Sequence, residues 1–164
     1  MRALLLGLMG GVAGARWQDD GQLHLTLKFI GDVDRNQADD VAAALGSLPF
    51  SGIDLALNGV GTFAKKSLTH TLWAGVTPHD ALIRLHKKVE QACARAGVPE
   101  ENRAFAPHIT LARLNRATGP LDAFLEMHSG LCSPPMRFDH FYLYESHMGQ
   151  GGSIYEPVVR YPLA

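Results

Sequence analysis

The sequence predicts an α+β fold built on mainly antiparallel sheets, and three observations lead there. Several stretches alternate apolar and polar residues with a period of two, the pattern of half-buried strands. Others carry apolar residues three and four apart, the pattern of helices packed along one side. The strands are separated sometimes by hairpin-length loops and sometimes by helices, an order that a doubly wound parallel sheet does not produce. At 164 residues with 46% hydrophobic side chains, the chain has the material for one domain over residues 1–164.

The run over residues 3–9, Ala-Leu-Leu-Leu-Gly-Leu-Met, reads as a short helical piece. With Met1-Arg2 before it and small residues after it, it mimics a secretory leader. Gly7, Gly10 and Gly11 interrupt the apolar stretch, so the expectation is a protein that stays in the cytoplasm. No other run approaches the roughly 18 apolar residues that a membrane span needs. Residues 23–30 alternate His24, Thr26 and Lys28 with Leu25, Leu27 and Phe29 and predict a strand that stops at Gly31 and Asp32. Residues 36–48 hold Val41, Ala44, Leu45 and Leu48 at helical spacing, with Asp39 and Asp40 early, where the helix dipole favours anions. Residues 53–60 and 70–76 predict an antiparallel pair joined by a loop over 61–69. The longest helix opens at Pro78 and Asp80, carries Leu82, Leu85, Val89, Ala92 and Cys93 on one face, and ends at Gly97 and Pro99. The second half repeats the theme, with strands at 108–114, 136–145 and 154–161 and a helix at 121–128.

Fifteen Lys and Arg against sixteen Asp and Glu give a formal net charge of −1. Such a chain has no global field for gripping long duplex nucleic acid, and an anionic ligand must be held by local groups. Cys93 and Cys132 are too few and too far apart for a zinc ribbon or a redox pair, and they read as buried small apolar residues in a reducing compartment. His70, His79, His86, His128, His140 and His147 have none of the spacings that metal ligands use, so no metal or other cofactor is expected. Gly149-Gln-Gly-Gly152 lacks the strand-to-helix setting of a phosphate-cradling loop and reads as a turn.

One phrase occurs twice. His24-Leu-Thr-Leu27 and His108-Ile-Thr-Leu111 are both His-apolar-Thr-apolar on a predicted strand, against roughly 0.07 such phrases expected in a shuffled chain of this composition. Because strand side chains alternate, each His and its Thr project to one side while the flanking Leu or Ile enters the core. Two such strands side by side present two imidazoles and two hydroxyls to one small anion. An imidazole near its ordinary pKa serves as proton donor or acceptor at neutral pH, and hydroxyls donate hydrogen bonds to phosphate oxygens. Phosphodiester hydrolysis needs that set: a base for the attacking water and an acid for the departing alkoxide.

The segments 24–31, His-Leu-Thr-Leu-Lys-Phe-Ile-Gly, and 107–113, Pro-His-Ile-Thr-Leu-Ala-Arg, resemble the paired motifs of the two-histidine (2H) phosphoesterases. Within them the chain is most similar to the bacterial RNA 2′,3′-cyclic phosphodiesterases, also called 2′-5′ RNA ligases. Gly14-Ala-Arg-Trp17, Leu72-Trp-Ala-Gly-Val76, Leu143-Tyr-Glu-Ser146 and Tyr161-Pro-Leu163 fit the same pattern, so the resemblance covers nearly the whole chain. It implies a bilobal domain of two pseudo-symmetric, mainly antiparallel sheets with outer helices and a central groove. It also implies metal-independent hydrolysis of terminal RNA 2′,3′-cyclic phosphate to a 2′-phosphomonoester, and the reverse joining to 5′-hydroxyl RNA. On that resemblance His24 is the proton donor and His108 the acceptor, while Thr26 and Thr110 bind the phosphate. The implied partners are RNA ends with a cyclic phosphate, of the kind tRNA fragments carry, or related nucleotides; no membrane is involved and the protein is expected to be a monomer. Family members begin with an additional strand and helix before the Gly-Ala-Arg-Trp segment, so the first sheet here is expected to lack a strand.

Three further residues are candidates for substrate binding. Lys28 shares a strand face with His24 by alternation. Phe63, in the 61–69 loop with Lys65 and Lys66, makes a basic-aromatic cluster that could meet RNA. Arg113 stands at an odd offset from His108, so alternation points it away unless the strand is bulged; the family pattern makes it a candidate. Trp17 and Trp73 read as packing residues. Two other functions fit the same residues: an RNA-end binding module without turnover, and a cyclic phosphodiesterase of small nucleotides.

Overall fold

In the computed structural model, which describes residues 1–163, the apolar periodicities resolve into four helices and seven strands. These are α1 (Arg2–Gly7), β1 (Arg16–Trp17), α2 (Arg35–Gly46), β2 (Ile53–Lys65), β3 (Leu68–Thr77), α3 (His79–Arg95), β4 (His108–Arg113), α4 (Asp122–His128), β5 (Met136–Phe138), β6 (His140–Gly149) and β7 (Gly152–Pro162). One sheet has the order β1-β4-β3-β2-β5 and a second is the ribbon β6-β7. The registered pairs are antiparallel, as the α+β reading expects. No helix of the described residues is long and apolar enough to cross a membrane.

The chain divides into two compact units, each assembled from three separate segments. The first takes Met1–Leu25, Leu55–Thr77 and His108–Met136. Its sheet turns one face inward: Leu57, Leu72, Ala74, Val76, Leu111 and Ala112 are all at most 1% exposed. Leu5 of α1, Val12 and Phe124 of α4 are buried in the same unit. Each large apolar side chain buried in this way contributes about 1.5–3 kcal/mol. The β2–β3 hairpin is longer than the sequence suggests. Where a loop over 61–69 is expected, the ladder runs on to Lys65↔Leu68, and only Lys66 and Ser67 turn, both with positive φ (50° and 64°). Two consecutive positive φ values give the tight turn that matches strand twist, although neither residue is the glycine that normally advertises it.

The second unit takes Thr26–Asp54, Pro78–Pro107 and the chain from Arg137 onward. Asp34 caps α2 by accepting the Gln37 N–H at 2.9 Å. The stripe Leu82, Leu85, Val89, Ala92 and Cys93 of α3 is buried, and Gly97, at φ +81°, ends the helix as Val98 N–H donates to the Cys93 carbonyl at 3.0 Å. β7 is tied to α2 by the Tyr161 hydroxyl, which donates to the Ala42 carbonyl at 3.1 Å. The expected strand 136–145 is broken at Asp139, whose carbonyl accepts from Leu163. Cys93 is buried as expected, but Cys132 is exposed; its place is fixed by a backbone bridge to Asn58.

The largest departure is at residues 23–30. Only Leu25 makes a strand contact, an isolated antiparallel bridge to Ile109. Beyond it the chain bonds to side chains of the second unit instead of a ladder. His86 Nδ1–H donates to the Leu27 carbonyl at 2.8 Å, and the Lys28 ammonium donates to Glu90 Oε2 at 2.9 Å and to the Pro99 carbonyl at 2.8 Å. Lys28 and Glu90 have side chains only 5% and 13% exposed. Removing one member of a buried ion pair strands the other charge. Lys28→Ala is therefore expected to lower the unfolding free energy from urea titration by about 3 kcal/mol, and Lys28→Met with Glu90→Leu to recover most of it; a loss under about 0.5 kcal/mol for the single change would contradict the buried pairing.

Candidate active site

The site face of the first unit is the side of the sheet opposite its core. On β4, Ile109, Leu111 and Ala112 are buried, while His108 and Thr110 lie half-exposed on the other side. The pairing of β4 with β3 then slips. Gly75↔His108, Ala74↔Ile109 and Trp73↔Thr110 are followed by Leu72↔Ala112 and Thr71↔Arg113, which leaves Leu111 as an extra residue. A bulge of one residue reverses face parity beyond it. Arg113, at the wrong offset from His108 for a regular strand, is thereby returned to the face of His108 and Thr110. Its Nη1 donates to Thr71 Oγ1 at 3.1 Å, and the same oxygen lies 2.8 Å from His70 Nδ1. Thr71 is 1% exposed and the buried polar residue of the core set.

His24 reaches the same place from the neighbouring segment. After β1 the chain makes a 3-10 turn at Asp20–Gln22, closed by a capping box between Asp19 and Gln22. The bridge Leu25↔Ile109 then sets His24 level with Thr110. His24 Nδ1 lies 2.7 Å from the Gln22 carbonyl. That oxygen can only accept, so Nδ1 carries the hydrogen and Nε2 holds the lone pair of the neutral ring. Burial pushes the His24 pKa below its ordinary value, the Gln22 carbonyl opposes this, and the Arg113 and His108 charges push it down further.

Aromatic rings flank His108. Phe63 meets it edge-on at 4.8 Å between centroids and 88° between planes, and Trp73 lies 6.4 Å away, 5.4 Å from Phe63. Trp73 has room because Gly61 stands opposite it: a Cβ there would come within 2.3 Å of the indole. Phe63 is thus a strand residue ordered against His108, and not the loop residue that the sequence suggests. Trp73, which the sequence suggests is a packing residue, and Thr71, which no motif marks, both belong to this face. The signal was present in the alternation of β3, where Thr71 and Trp73 are out of phase with the core residues Leu72, Ala74 and Val76.

His24, His108, Thr110, Arg113 and Phe63 are thus brought together on one unit. Thr26 is the first residue of the second unit, one position before the Leu27 carbonyl that His86 holds. Lys28 is a correction: its ammonium is buried against Glu90 and Pro99 and is not presented to a ligand. The other histidines act locally, His86 stacked on Phe105 at 4.0 Å, His128 against Phe124 and His140 paired with Asp139. Among the described residues no three His, Cys, Asp or Glu side chains are grouped to hold a metal ion.

Known proteins share this arrangement of sequence and fold. The model of the 2'-5' RNA ligase superfamily matches residues 14–150. A curated RNA 2',3'-cyclic phosphodiesterase of Geobacillus stearothermophilus is 32% identical over 152 residues, 90% of this chain and 47% of that protein. One of Thermotoga maritima is 29% identical over 147 residues, 87% of this chain and 76% of that protein. The chain therefore spans about half the length of the first relative and three quarters of the second. The crystal structure of E. coli LigT complexed with 3'-AMP matches with a TM-score of 0.73 at 28% identity, covering 91% of this chain and 81% of that one. The TT0787 protein of Thermus thermophilus shares the fold, with a TM-score of 0.76 at 22% identity over 99% of this chain and 91% of that one. With both His-x-Thr phrases inside a match that runs from residue 14 to residue 150, the chain belongs to the 2'-5' RNA ligase superfamily.

Proposed function

We propose that this protein hydrolyses RNA ends carrying a 2′,3′-cyclic phosphate to 2′-phosphomonoesters, by proton transfer between its two motif histidines. The observation that carries the reading is the convergence of His24 and His108 on one sheet face beside Thr110 and Arg113. The names of the relatives from Geobacillus stearothermophilus and Thermotoga maritima support it. His108 takes a proton from water as its oxygen attacks phosphorus. The bond from phosphorus to O3′ breaks, and His24 Nε2–H protonates the departing O3′. Thr110 and Arg113 hold nonbridging oxygens, and Thr26 is assigned the same role from the first motif. Run in the same direction with a 5′-hydroxyl in place of water, the same steps form a 2′-5′ bond. Two unpaired cysteines support a cytoplasmic location.

The neutral His24 of the free protein has a consequence. Its lowered pKa leaves Nε2 unprotonated near neutrality, and the incoming phosphate anion offsets the Arg113 charge that opposes protonation. The proton that His24 delivers is therefore stabilised by the substrate itself.

Incubation of the protein with a cyclic-phosphate oligoribonucleotide in EDTA is expected to give a 2′-phosphate product. His24→Ala and His108→Ala should each lower kcat by about a thousandfold with the thermal midpoint retained. Binding without turnover by the wild type would instead identify an RNA-end binding module. The pH profile of kcat/KM should be a bell. On its acid side both imidazoles are protonated and no base remains; on its alkaline side both are neutral and no acid remains. Because the folded His24 pKa lies below its ordinary 6.5, the acid limb falls below that pH, and a flat profile between about pH 5 and 9 would rule out the pairing.

A further inference from the structure

The bulge that turns Arg113 toward the histidines also sets it against a second cation. In the β1–β4 ladder Arg16 is paired directly with Arg113, and Trp17 with Ala112. Ala112 is fully buried and Trp17 packs on Phe124, so Arg16 and Arg113 share the opposite face, that of the site. Like charges directly opposite one another on antiparallel strands destabilise the pair. No carboxylate of the described residues relieves this one: the salt bridges include neither arginine, and Arg113 is held by the neutral Thr71 hydroxyl. Arg16 is exposed. Two arginines paired across a ladder on one face, with no acid between them, are a place for an anion.

Their position says which anion. His24 is level with Thr110, and Arg16 is level with Arg113. With Leu111 bulged out, these levels are two residue pairs apart along β4, about 7 Å by strand rise. Neighbouring phosphates of an RNA strand span such a length. Arg113 stands at the Arg16 level, and its charge still reaches His24 closely enough to lower the imidazole pKa.

We propose that Arg16 binds the phosphodiester next to the reacting cyclic phosphate, so that the site selects an RNA strand end over a cyclic mononucleotide. The inference rests on the phosphodiesterase reading for the chemistry at His24 and His108, but concerns a separate group of the substrate. A nucleoside 2′,3′-cyclic phosphate has only the reacting phosphate and leaves Arg16 without a ligand.

The test compares Arg16→Gln and Arg16→Lys with wild type on a short oligoribonucleotide ending in 2′,3′-cyclic phosphate and on a nucleoside 2′,3′-cyclic phosphate. Arg16→Gln should lower kcat/KM about tenfold on the oligonucleotide, mostly through KM, and leave the mononucleotide within about twofold. Its salt dependence on the oligonucleotide should lose about 0.7 from the logarithmic slope, one phosphate contact on a single strand. Arg16→Lys should restore most of the loss. The thermal midpoint of Arg16→Gln should hold or rise, because a like-charge neighbour has been removed. An equal fall on both substrates, or no fall on either, overturns the inference. Should the wild type turn over neither substrate, the phosphodiesterase reading fails alone. Anisotropy binding of a 2′-phosphate oligonucleotide, competed by a 2′-phosphate mononucleotide, then decides Arg16 by the same contrast.

Discussion

Side chains leave a β-strand on alternate faces, and no amount of packing changes that parity; only an added or removed residue does. In β4 the core claims Ile109, Leu111 and Ala112, two of them consecutive, and the ladder accommodates this by leaving Leu111 without a partner on β3. The cationic part of the site depends on that single extra residue. Alternation already sets His108 and Thr110 on one side; the bulge brings Arg113 back to them, and through the β1 pairing Arg16 is placed there too. A regular strand with the same sequence would aim Arg113 into the core, where an unpaired guanidinium costs far more than a bulge.

The two halves of the first motif are secured by different means. His24 is oriented by the Gln22 carbonyl at the end of a capped 3-10 turn. Past Leu25, the second unit holds the chain through His86 on the Leu27 carbonyl and Glu90 on Lys28. These bonds replace a strand ladder with fixed side-chain partners, so the backbone around Thr26 is set by α3. The pKa of half-buried His24 is lowered by desolvation and by cationic neighbours, a shift that an anion bound beside Arg113 would oppose. In the proposed mechanism this environment couples proton uptake to anion binding.

Much of this was legible in the sequence, for identifiable reasons. The doubled His-x-Thr phrase located His24, His108 and Thr110 because strand parity is local. The helices at 35–46 and 79–95 followed from apolar spacing, from Asp39 and Asp40 early in the first, and from Gly97 and Pro99 after the second; the Asp34 cap is read from the structure. What failed was non-local. Lys28 looked like a site residue because alternation was carried through to Ile30, but the partners that end the strand, His86 and Glu90, are remote in sequence. The Lys66-Ser67 turn carries no glycine, so nothing local marks its tightness, and the sequence alone places Phe63 in a loop. Arg113 could be recovered only with the bulge, and a bulge is decided by what the neighbouring strand buries.

In the proposed mechanism His24 and His108 act from opposite sides of one phosphorus. A crystal structure with a nucleoside vanadate, whose five-coordinate centre mimics the transition state of phosphoryl transfer, tests this directly. The two imidazole Nε2 atoms are expected within about 2.6–3.2 Å of the two apical oxygens, with Thr110 and Arg113 on equatorial ones. Vanadate bound away from β4, or both histidines on equatorial oxygens of the same side, would contradict it.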